Sequence, residues 1–423
     1  MRSVDYVGKL RALVLALALC VALSVGAGVT GAARAAAVTD GAPVLTFVYG
    51  GKSYEYRERE LTPADFTVSE DFQKRKLDRP VEERMKLVDR LLCGGSEVRD
   101  AMLYCFPLLY ETVRAATSQI CCEPVDSEIR FYPDRSPMFE IKRSTPGYKL
   151  NEARIFDDAY FALKRGLKRV ALAVEIVQPA HTAEELSAYT KLRASFSTSY
   201  ASSSDERKHN VELALSKVNG TVLPAGGEFS FNGTVGRRTT ANGFLPAKII
   251  VGGKYTEGVG GGVCQASTTV YNCALRAGLN ITKVSRHSLV PTYVSPSFDA
   301  MVNGSYSDLK FVNNTEGPLF IRAGGENGVA KVEIYSSALP YEIECRSETV
   351  SMGERPADEE FVDEERKYTE GLASGEKVRV HGGAPAVESK GYIVKRWPDG
   401  RTEETLIRHD KYAEAGASVA VAP

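Results

Sequence analysis

Apolar and polar residues alternate along residues 43–67, on both sides of a Gly-Gly pair. This alternation predicts a β-hairpin, because successive side chains of a strand face opposite sides. From residue 80 the apolar positions recur at helical spacing, and after residue 127 short β-rich runs are followed by an amphipathic helix and a strand. These elements together predict an α+β domain over residues 43–190.

A second pattern begins near residue 194, after a serine-rich stretch. It opens with a helix that we expect to be capped by Asp205, and continues with short β-runs rich in Gly and Asn. One further helix is expected to begin near Ala266. The acidic residues 357–363 resemble a linker, and two extended runs joined at a Pro-Asp-Gly turn predict a small β-module over residues 365–413.

The length of 423 residues is too great for one compact core. We therefore expect a multidomain α+β fold with a β-rich second domain, residues 194–335. The formal net charge is −1, which argues against a nucleic-acid partner, because such binding depends on clustered Lys and Arg. None of the cysteine spacings predicts a zinc site, and no phosphate-binding loop spacing occurs, so neither a metal nor a cofactor is predicted.

The first residues carry the pattern of an export signal. Basic residues precede an uncharged, Leu- and Ala-rich stretch that runs from Ala12 to Ala33. Residues 1–37 are therefore expected to be either a cleaved signal peptide or a membrane anchor, with the rest of the chain outside the cytoplasm. In such a compartment disulfides can form. Up to two are expected within one cysteine-rich segment, which contains Cys93, Cys105, Cys121 and Cys122.

The candidate chemistry centres on Cys264, which follows three consecutive glycines and precedes the second predicted helix. A helix N-terminus favours the thiolate, and its free backbone N–H groups can stabilise an oxyanion. His287, 23 residues downstream, is the candidate acid–base partner, and the group that orients it is left open. The candidates for that orienting group are Ser288, Asp299 and Asp308.

The residues around Cys264 complete the predicted site. Oxyanion or substrate contacts are expected from Gly261, Gly262, Val263, Gln265, Ser267 and Thr268. The cations Arg237, Arg238 and Lys310 are each either a contact for an anionic substrate group or a solvated surface charge. Simpler interpretations stay open. Cys264 could be buried or bonded to Cys273, and the glycines could form a nest that only binds an anion.

Several ordered blocks resemble the VanW domain, among them HNVELALSKVNGTVLPAGGEFSFNGTVGRRT, GGGVCQASTTVYNCALRAGLNI and RHSLVPTYV, within residues 194–335. The preceding region is similar to a peptidoglycan-binding domain, and residues 365–413 resemble a G5-like module. The resemblance implies an L,D-transpeptidase-like enzyme that acts on peptidoglycan stem peptides through Cys264. The alternative is a protein linked to vancomycin resistance that only binds peptidoglycan or a glycopeptide. Gln265 follows the thiol where established L,D-transpeptidases have Arg.

Overall fold

The computed structural model describes residues 43–57, 74–251, 254–304 and 306–423. The predicted export segment, residues 1–37, lies outside them. Among the described residues, no helix combines the length and apolar character that crossing a bilayer requires. The chain divides into two compact units. One contains the described residues up to Cys121 together with Tyr148–Glu175, and the other contains Cys122–Gly147 and Ile176–Pro423.

Helices and short strands alternate in the first part of the chain. The hairpin predicted around the Gly-Gly pair is confirmed, since the first two strands pair antiparallel with Leu45 opposite Tyr56. A core forms between this hairpin and the helices, and it includes the fully buried Phe47, Met102 and Phe156. The elements are β1 (Leu45–Tyr49), β2 (Lys52–Tyr56), α1 (Val81–Cys93), α2 (Val98–Cys105), α3 (Pro107–Ile120), β3 (Glu128–Phe131), β4 (Phe139–Lys142), β5 (Gly147–Leu150), α4 (Glu152–Lys164), β6 (Arg169–Ala171), β7 (Val174–Val177) and α5 (Ala183–Ser187).

The central part of the chain combines several small sheets with two long helices. Its elements are β8 (Lys191–Ser199), α6 (Asp205–Val218), β9 (Thr221–Leu223), β10 (Glu228–Ser230), α7 (Phe231–Val235), β11 (Pro246–Val251), β12 (Lys254–Val259), α8 (Val263–Arg276), β13 (Asn280–Lys283), β14 (Lys310–Val312), β15 (Leu319–Glu326) and β16 (Val329–Ser336).

An antiparallel four-stranded sheet in the order β8-β16-β15-β9 forms the base of this region. Helix α8 packs on β8 and β16, and α6 packs on β15. Nearly every residue of α8 is buried, so this helix lies inside the core instead of presenting one face to solvent. A fully buried helix gives the residues at its N-terminus a fixed position.

The C-terminal part consists of two three-stranded sheets in the orders β17-β20-β21 and β18-β22-β19. The hairpin expected at the Pro-Asp-Gly turn is confirmed by β20 and β21. The linker prediction for residues 357–363 is wrong, because these residues include β18, which pairs parallel with β22. The strands are β17 (Glu342–Met352), β18 (Glu359–Val362), β19 (Lys377–His381), β20 (Val387–Arg396), β21 (Thr402–Tyr412) and β22 (Ser418–Val421).

The sheet β17-β20-β21 packs directly against the loop between β13 and β14. The backbone N–H of Ser297 donates to the Tyr412 hydroxyl at 2.8 Å, and the Ser297 hydroxyl bonds that of Ser389 at 2.8 Å. A Cβ on Gly391 would lie only 3.1 Å from that of Ser297, so the strand and the loop pack closely at this glycine. The fold thereby combines the central region and the C-terminal strands in one unit. The structure confirms the predicted multidomain, β-rich α+β class.

Candidate active site

The three glycines let the chain turn tightly against α6 before α8 begins. Gly262 has φ 106°, in the left-handed region, and a Cβ there would lie 3.0 Å from Val211 and from the Arg207 backbone oxygen. Asn210, which is fully buried, anchors the loop by donating to the Gly261 carbonyl at 3.0 Å. These glycines are therefore required by close packing as well as by backbone conformation.

Cys264 is the second residue of α8, because the helix begins at Val263 and not near Ala266 as expected from the sequence. Its side chain is half-buried, and Sγ lies 3.4 Å from the Val302 carbonyl oxygen. Cys273 is fully buried on the same helix, and both thiols are free. The seven cysteines in the described part of the chain are all free, so the expected disulfides are not formed there.

His287 lies between this thiol and Asp299. The side chains of His287 and Cys264 are close enough to shift each other's pKa, and Nδ1 of His287 lies 2.7 Å from Oδ2 of Asp299. Because Nδ1 is used by Asp299, Nε2 is the nitrogen that faces the thiol. The His287 side chain is 12% exposed and that of Asp299 is 0% exposed. The three side chains have the arrangement of a nucleophile, a base and a group that orients the base.

Among the three candidates left open for orienting His287, the structure brings only Asp299 to the imidazole within the described residues. Asp308 instead accepts hydrogen bonds from the Ser230 hydroxyl and the Asn232 backbone N–H, so it fixes the start of α7. The Ser288 carbonyl accepts from the backbone N–H of Ala413. Neither of these contacts reaches the ring of His287.

The local charges favour a thiolate–imidazolium pair. Burial raises the pKa of the Cys264 thiol, but the hydrogen bond to His287 and the charge of His287 outweigh burial, so the pKa lies below its ordinary value. Burial lowers the pKa of His287, while its hydrogen bonds with Asp299 and Cys264 raise it, to about 9 in all. Both shifts favour an ionised sulfur beside a protonated ring at neutral pH.

Asp299 is held by groups from two regions of the chain. Its Oδ1 accepts from the Tyr412 hydroxyl at 2.6 Å and from Arg408 Nη2 at 3.3 Å. Burial raises the pKa of Asp299, but the hydrogen bond with His287 and the charge of Arg408 outweigh burial and leave the pKa below its ordinary value. The carboxylate therefore stays ionised next to His287.

Backbone N–H groups around the thiol are suited to an oxyanion. The N–H of Val263 donates to Gly260 at 3.2 Å, so it is already used. In the described part of the chain, the N–H groups of Gly261, Gly262 and Cys264 have no backbone acceptor. Donors at a helix N-terminus beside a nucleophile can stabilise a negatively charged tetrahedral intermediate. The oxyanion role predicted for Val263 would fall to these neighbouring amides.

Three of the predicted contact residues make framework hydrogen bonds, and of these Gln265 also lines the cavity beside Cys264. Gln265, 1% exposed, accepts from Arg207 Nη2 at 2.8 Å and donates to the Ser199 carbonyl at 2.8 Å. Ser267 and Thr268 are fully buried and do not line the cavity beside Cys264. Ser267 donates to the Ala300 carbonyl, and Thr268 accepts from the Ala300 backbone N–H. These bonds fix the segment next to Asp299.

A cavity of about 810 Å³ lies beside the thiol, and both Cys264 and His287 line it. Its described lining residues include no Asp or Glu. The cations in its wall are Arg207, Arg237, Arg238 and Lys248. Lys310, the third cation suggested by the sequence, does not line the cavity and pairs with Glu228 at 2.9 Å. The cavity therefore suits a ligand that carries negative charge.

Sequence reasoning missed several residues of the site. Arg408 and Tyr412 lie 109 and 113 residues after Asp299, and no local spacing links them to it. Lys248 and Tyr293 also line the cavity, and although Tyr293 belongs to the block RHSLVPTYV, neither residue was among the predicted site residues. The described residues contain no cluster of His, Cys, Asp or Glu that could hold a metal ion.

Comparison with known proteins agrees with this architecture. Residues 206–335 match the family model described as VanW like protein. A 193-residue stretch is 34% identical to the uncharacterized protein YoaR of Bacillus subtilis (strain 168), and it covers 45% of this chain and 64% of that protein. A 118-residue stretch is 28% identical to the vancomycin B-type resistance protein VanW of Enterococcus faecalis (strain ATCC 700802 / V583), and it covers 26% of this chain and 42% of that protein.

The matches thus span less than two thirds of the length of either relative. They support a VanW-like protein. The matched residues 206–335 contain Cys264, His287 and Asp299 and end before the C-terminal sheets.

Proposed function

We propose that the chain is an exported cell-wall protein whose VanW-like domain is a cysteine acyltransferase of the L,D-transpeptidase type. The observation that carries the proposal is that Cys264 and His287 line one cavity, with the ring of His287 held by Asp299 at 2.7 Å. A thiol at a helix N-terminus, paired with an oriented imidazole and open to a cavity, has what acyl transfer requires.

In the first half of the reaction, the Cys264 thiolate attacks the carbonyl carbon of the third residue of a tetrapeptide stem. A carbon–sulfur bond forms, and the amide bond to the terminal D-alanine breaks. The His287 imidazolium gives its proton to the leaving amine, so neutral His287, a thioester and free D-alanine result. Asp299 holds the ring of His287 in the tautomer and orientation that this transfer needs.

In the second half, the amine of a neighbouring stem attacks the thioester carbon. The carbon–sulfur bond breaks, and His287 accepts the proton that the amine loses. This step restores the thiolate–imidazolium pair and leaves a new amide between the two stems. During both steps the N–H groups of Gly262 and Cys264 stabilise the negative oxygen.

The charge of the cavity supports an acidic peptide as the substrate. Four cations and no described carboxylate line the wall beside the thiol. Peptidoglycan stems carry free carboxylates, which pair with guanidinium and ammonium groups. The E. faecalis relative is named for vancomycin B-type resistance, which supports a cell-wall context. We also propose that residues 1–37 direct export and that residues 43–190 bind peptidoglycan.

The test uses the purified chain with disaccharide-tetrapeptides, and mass spectrometry of both products and protein. We expect released D-alanine, cross-linked dimers, and a protein adduct with the mass of the disaccharide-tripeptide acyl group. Cys264→Ala should lower the rate at least about a thousandfold, because it removes the nucleophile. Cys122→Ser is the matched control, since Cys122 is a free, exposed cysteine away from the cavity.

Undiminished cross-linking by Cys264→Ala would disprove the proposed nucleophile. The competing hypothesis is that the domain only binds peptidoglycan. This hypothesis gains support if neither the wild type nor Cys264→Ala forms cross-links and the two proteins bind isolated sacculi equally.

A further inference from the structure

The acid of the candidate triad is held by residues of the C-terminal sheet. Arg408 and Tyr412 belong to β21, and both contact the Oδ1 atom of Asp299. Arg408 also donates to the main-chain carbonyl of Asp299. The region that matches the family model ends at residue 335, so both residues lie outside it.

The two carboxylate oxygens of Asp299 have separate tasks. Oδ2 contacts both the ring and the backbone N–H of His287, at 2.7 Å and 2.6 Å. Oδ1 faces away from His287 and receives the donors from β21, Tyr412 at 2.6 Å and Arg408 at 3.3 Å. A carboxylate held at both oxygens cannot rotate, and the imidazole bonded to it is fixed as well.

Arg408 and Tyr412 are themselves held in place. They lie four residues apart on one strand, so both side chains point to the same face of the sheet. Arg408 Nε forms an ion pair with Oδ2 of Asp410 at 2.9 Å, and the Arg408 side chain is 9% exposed. The Tyr412 hydroxyl also accepts the backbone N–H of Ser297, two residues before Asp299. The sheet therefore grips both the carboxylate and the loop that carries it.

We propose that the C-terminal sheet is part of the active site, and that Arg408 and Tyr412 are positioning residues that hold Asp299, and through it His287, against Cys264. This inference rests on the proposed acyl transfer for its kinetic consequences. The minimal catalytic unit is then the central region together with the strands that follow it. Residues 194–335 without those strands would lack the groups that fix the acid of the triad.

The positive charge of Arg408 contributes in addition to its hydrogen bonds, because it acts on the ionisation of Asp299. Removing Arg408 takes away a cation that stabilises the ionised form of Asp299, so the carboxylate becomes protonated at a higher pH. A protonated Asp299 no longer stabilises the His287 imidazolium, and the thiolate paired with it is lost too. Among the described residues, the titratable or charged groups that act on Asp299 are His287, Arg408, Tyr412, Tyr271 and Tyr293, and Asp410 pairs with Arg408.

The first experiment separates positioning from substrate binding in the full chain. Tyr412→Phe removes one hydroxyl and should lower kcat about tenfold with KM changed less than about twofold, because the substrate site is untouched. Tyr392→Phe is the matched control, since Tyr392 lies in the same sheet on β20 and contacts Arg346 instead of Asp299. Thermal unfolding of each variant checks that the fold is kept.

The second experiment follows alkylation of Cys264 by iodoacetamide against pH, using peptide mapping. The acid limb is the part of the pH profile in which the alkylation rate rises with pH. Arg408→Met should shift this limb to higher pH by about one unit. Arg408→Lys should shift it less, because a cation remains. Arg396→Met, an exposed arginine of the same sheet paired with Glu344, should leave the limb unchanged. If Arg408→Met fails to fold, Tyr412→Phe decides the question.

The two readouts separate the inference from the proposed function. Wild-type kcat in Tyr412→Phe and an unmoved acid limb in Arg408→Met would overturn the positioning role, even if transpeptidation occurs. If the wild type releases no D-alanine but the limb still shifts in Arg408→Met, the positioning role stands and the proposed reaction fails.

Discussion

Nδ1 of His287 lies 2.7 Å from Oδ2 of Asp299, and the same oxygen accepts the backbone N–H of His287 at 2.6 Å. Two bonds from one residue to one oxygen fix both the position and the rotation of the imidazole. The ring then presents Nε2 to Cys264 before any substrate arrives. Such preorganisation lowers the cost of reaching the reactive geometry.

Asp299→Asn should therefore lower the rate of acyl transfer at least about a hundredfold, because an amide can present its N–H to Nδ1 and favour the wrong tautomer. It also removes a charge that raises the His287 pKa. Steady-state kinetics of D-alanine release measures the effect. The control is Asp308→Asn, which changes an acid that caps α7. Equal activity of Asp299→Asn and wild type would contradict the triad.

The thiol should react at an unusually low pH. Because the Cys264 pKa is lowered and that of His287 is raised to about 9, the ion pair exists between these two values. Alkylation by iodoacetamide should already be fast at a pH below the ordinary thiol pKa of about 8.5. Acyl transfer, which needs the imidazolium as an acid, should decline as pH rises through 9.

His287→Ala should slow this alkylation at neutral pH at least about tenfold, because the hydrogen bond and charge that most strongly oppose the effect of burial on the thiol pKa are then lost. His409→Ala is the control, since His409 pairs with Glu388 on the C-terminal sheet. Peptide mapping reports Cys264 separately from the other cysteines. An unchanged Cys264 rate in His287→Ala would show that the imidazole does not activate the thiol.

Gly262→Ala should damage both stability and activity. The left-handed backbone costs a Cβ-bearing residue about 1–2 kcal/mol, and the new Cβ would meet the Arg207 backbone oxygen at 3.0 Å. Gly226→Ala is matched to it, because Gly226 has φ 73° but no atom within 4 Å of the place that a Cβ would occupy. Chemical denaturation should show a lower free energy of unfolding for both variants than for the wild type. Only Gly262→Ala should also lose acyl transfer, since it displaces the start of α8.

Arg237→Gln should weaken substrate binding more than it slows the chemical step. Arg237 is exposed and lines the cavity beside Cys264, where it can meet a substrate carboxylate. We expect KM for the tetrapeptide to rise about tenfold, with kcat within about twofold of the wild type. Lys310→Gln, outside the cavity, should leave KM unchanged. The same KM rise in both variants would indicate a nonspecific charge effect.

Asn313→Ala should lower the free energy of unfolding by about 2–4 kcal/mol, because it removes three buried hydrogen bonds. Its Nδ2 donates to the carbonyls of Leu223, Pro224 and Gly317, and the residue is fully buried. Asn314→Ala, next to it in sequence, removes one exposed hydrogen bond to Gly278 and should cost less than about 1 kcal/mol. Urea unfolding of both variants measures the difference.

Local signals in the sequence determined much of the framework. Alternation and helical spacing predicted the first hairpin and the α+β class, because these periods follow from backbone geometry. The glycines before Cys264 marked a special turn for the same reason. The predicted N-termini of the two long helices of the central region, α6 and α8, were nevertheless wrong by one to three residues. Ser204 and not Asp205 caps α6, accepting the Arg207 N–H, and α8 begins at Val263.

The sequence thus determined that a thiol stands at the start of a helix after a glycine turn, since both features depend on neighbouring residues. Only the tertiary structure decided which group orients His287. Ser288, Asp299 and Asp308 were equal candidates from the sequence, and the fold brings Asp299 to the imidazole. It also turned Ser267 and Thr268 inward, toward Ala300. Arg408 and Tyr412 reach Asp299 across more than 100 residues of chain, and contacts at that separation are set by how sheets pack, which no local pattern encodes.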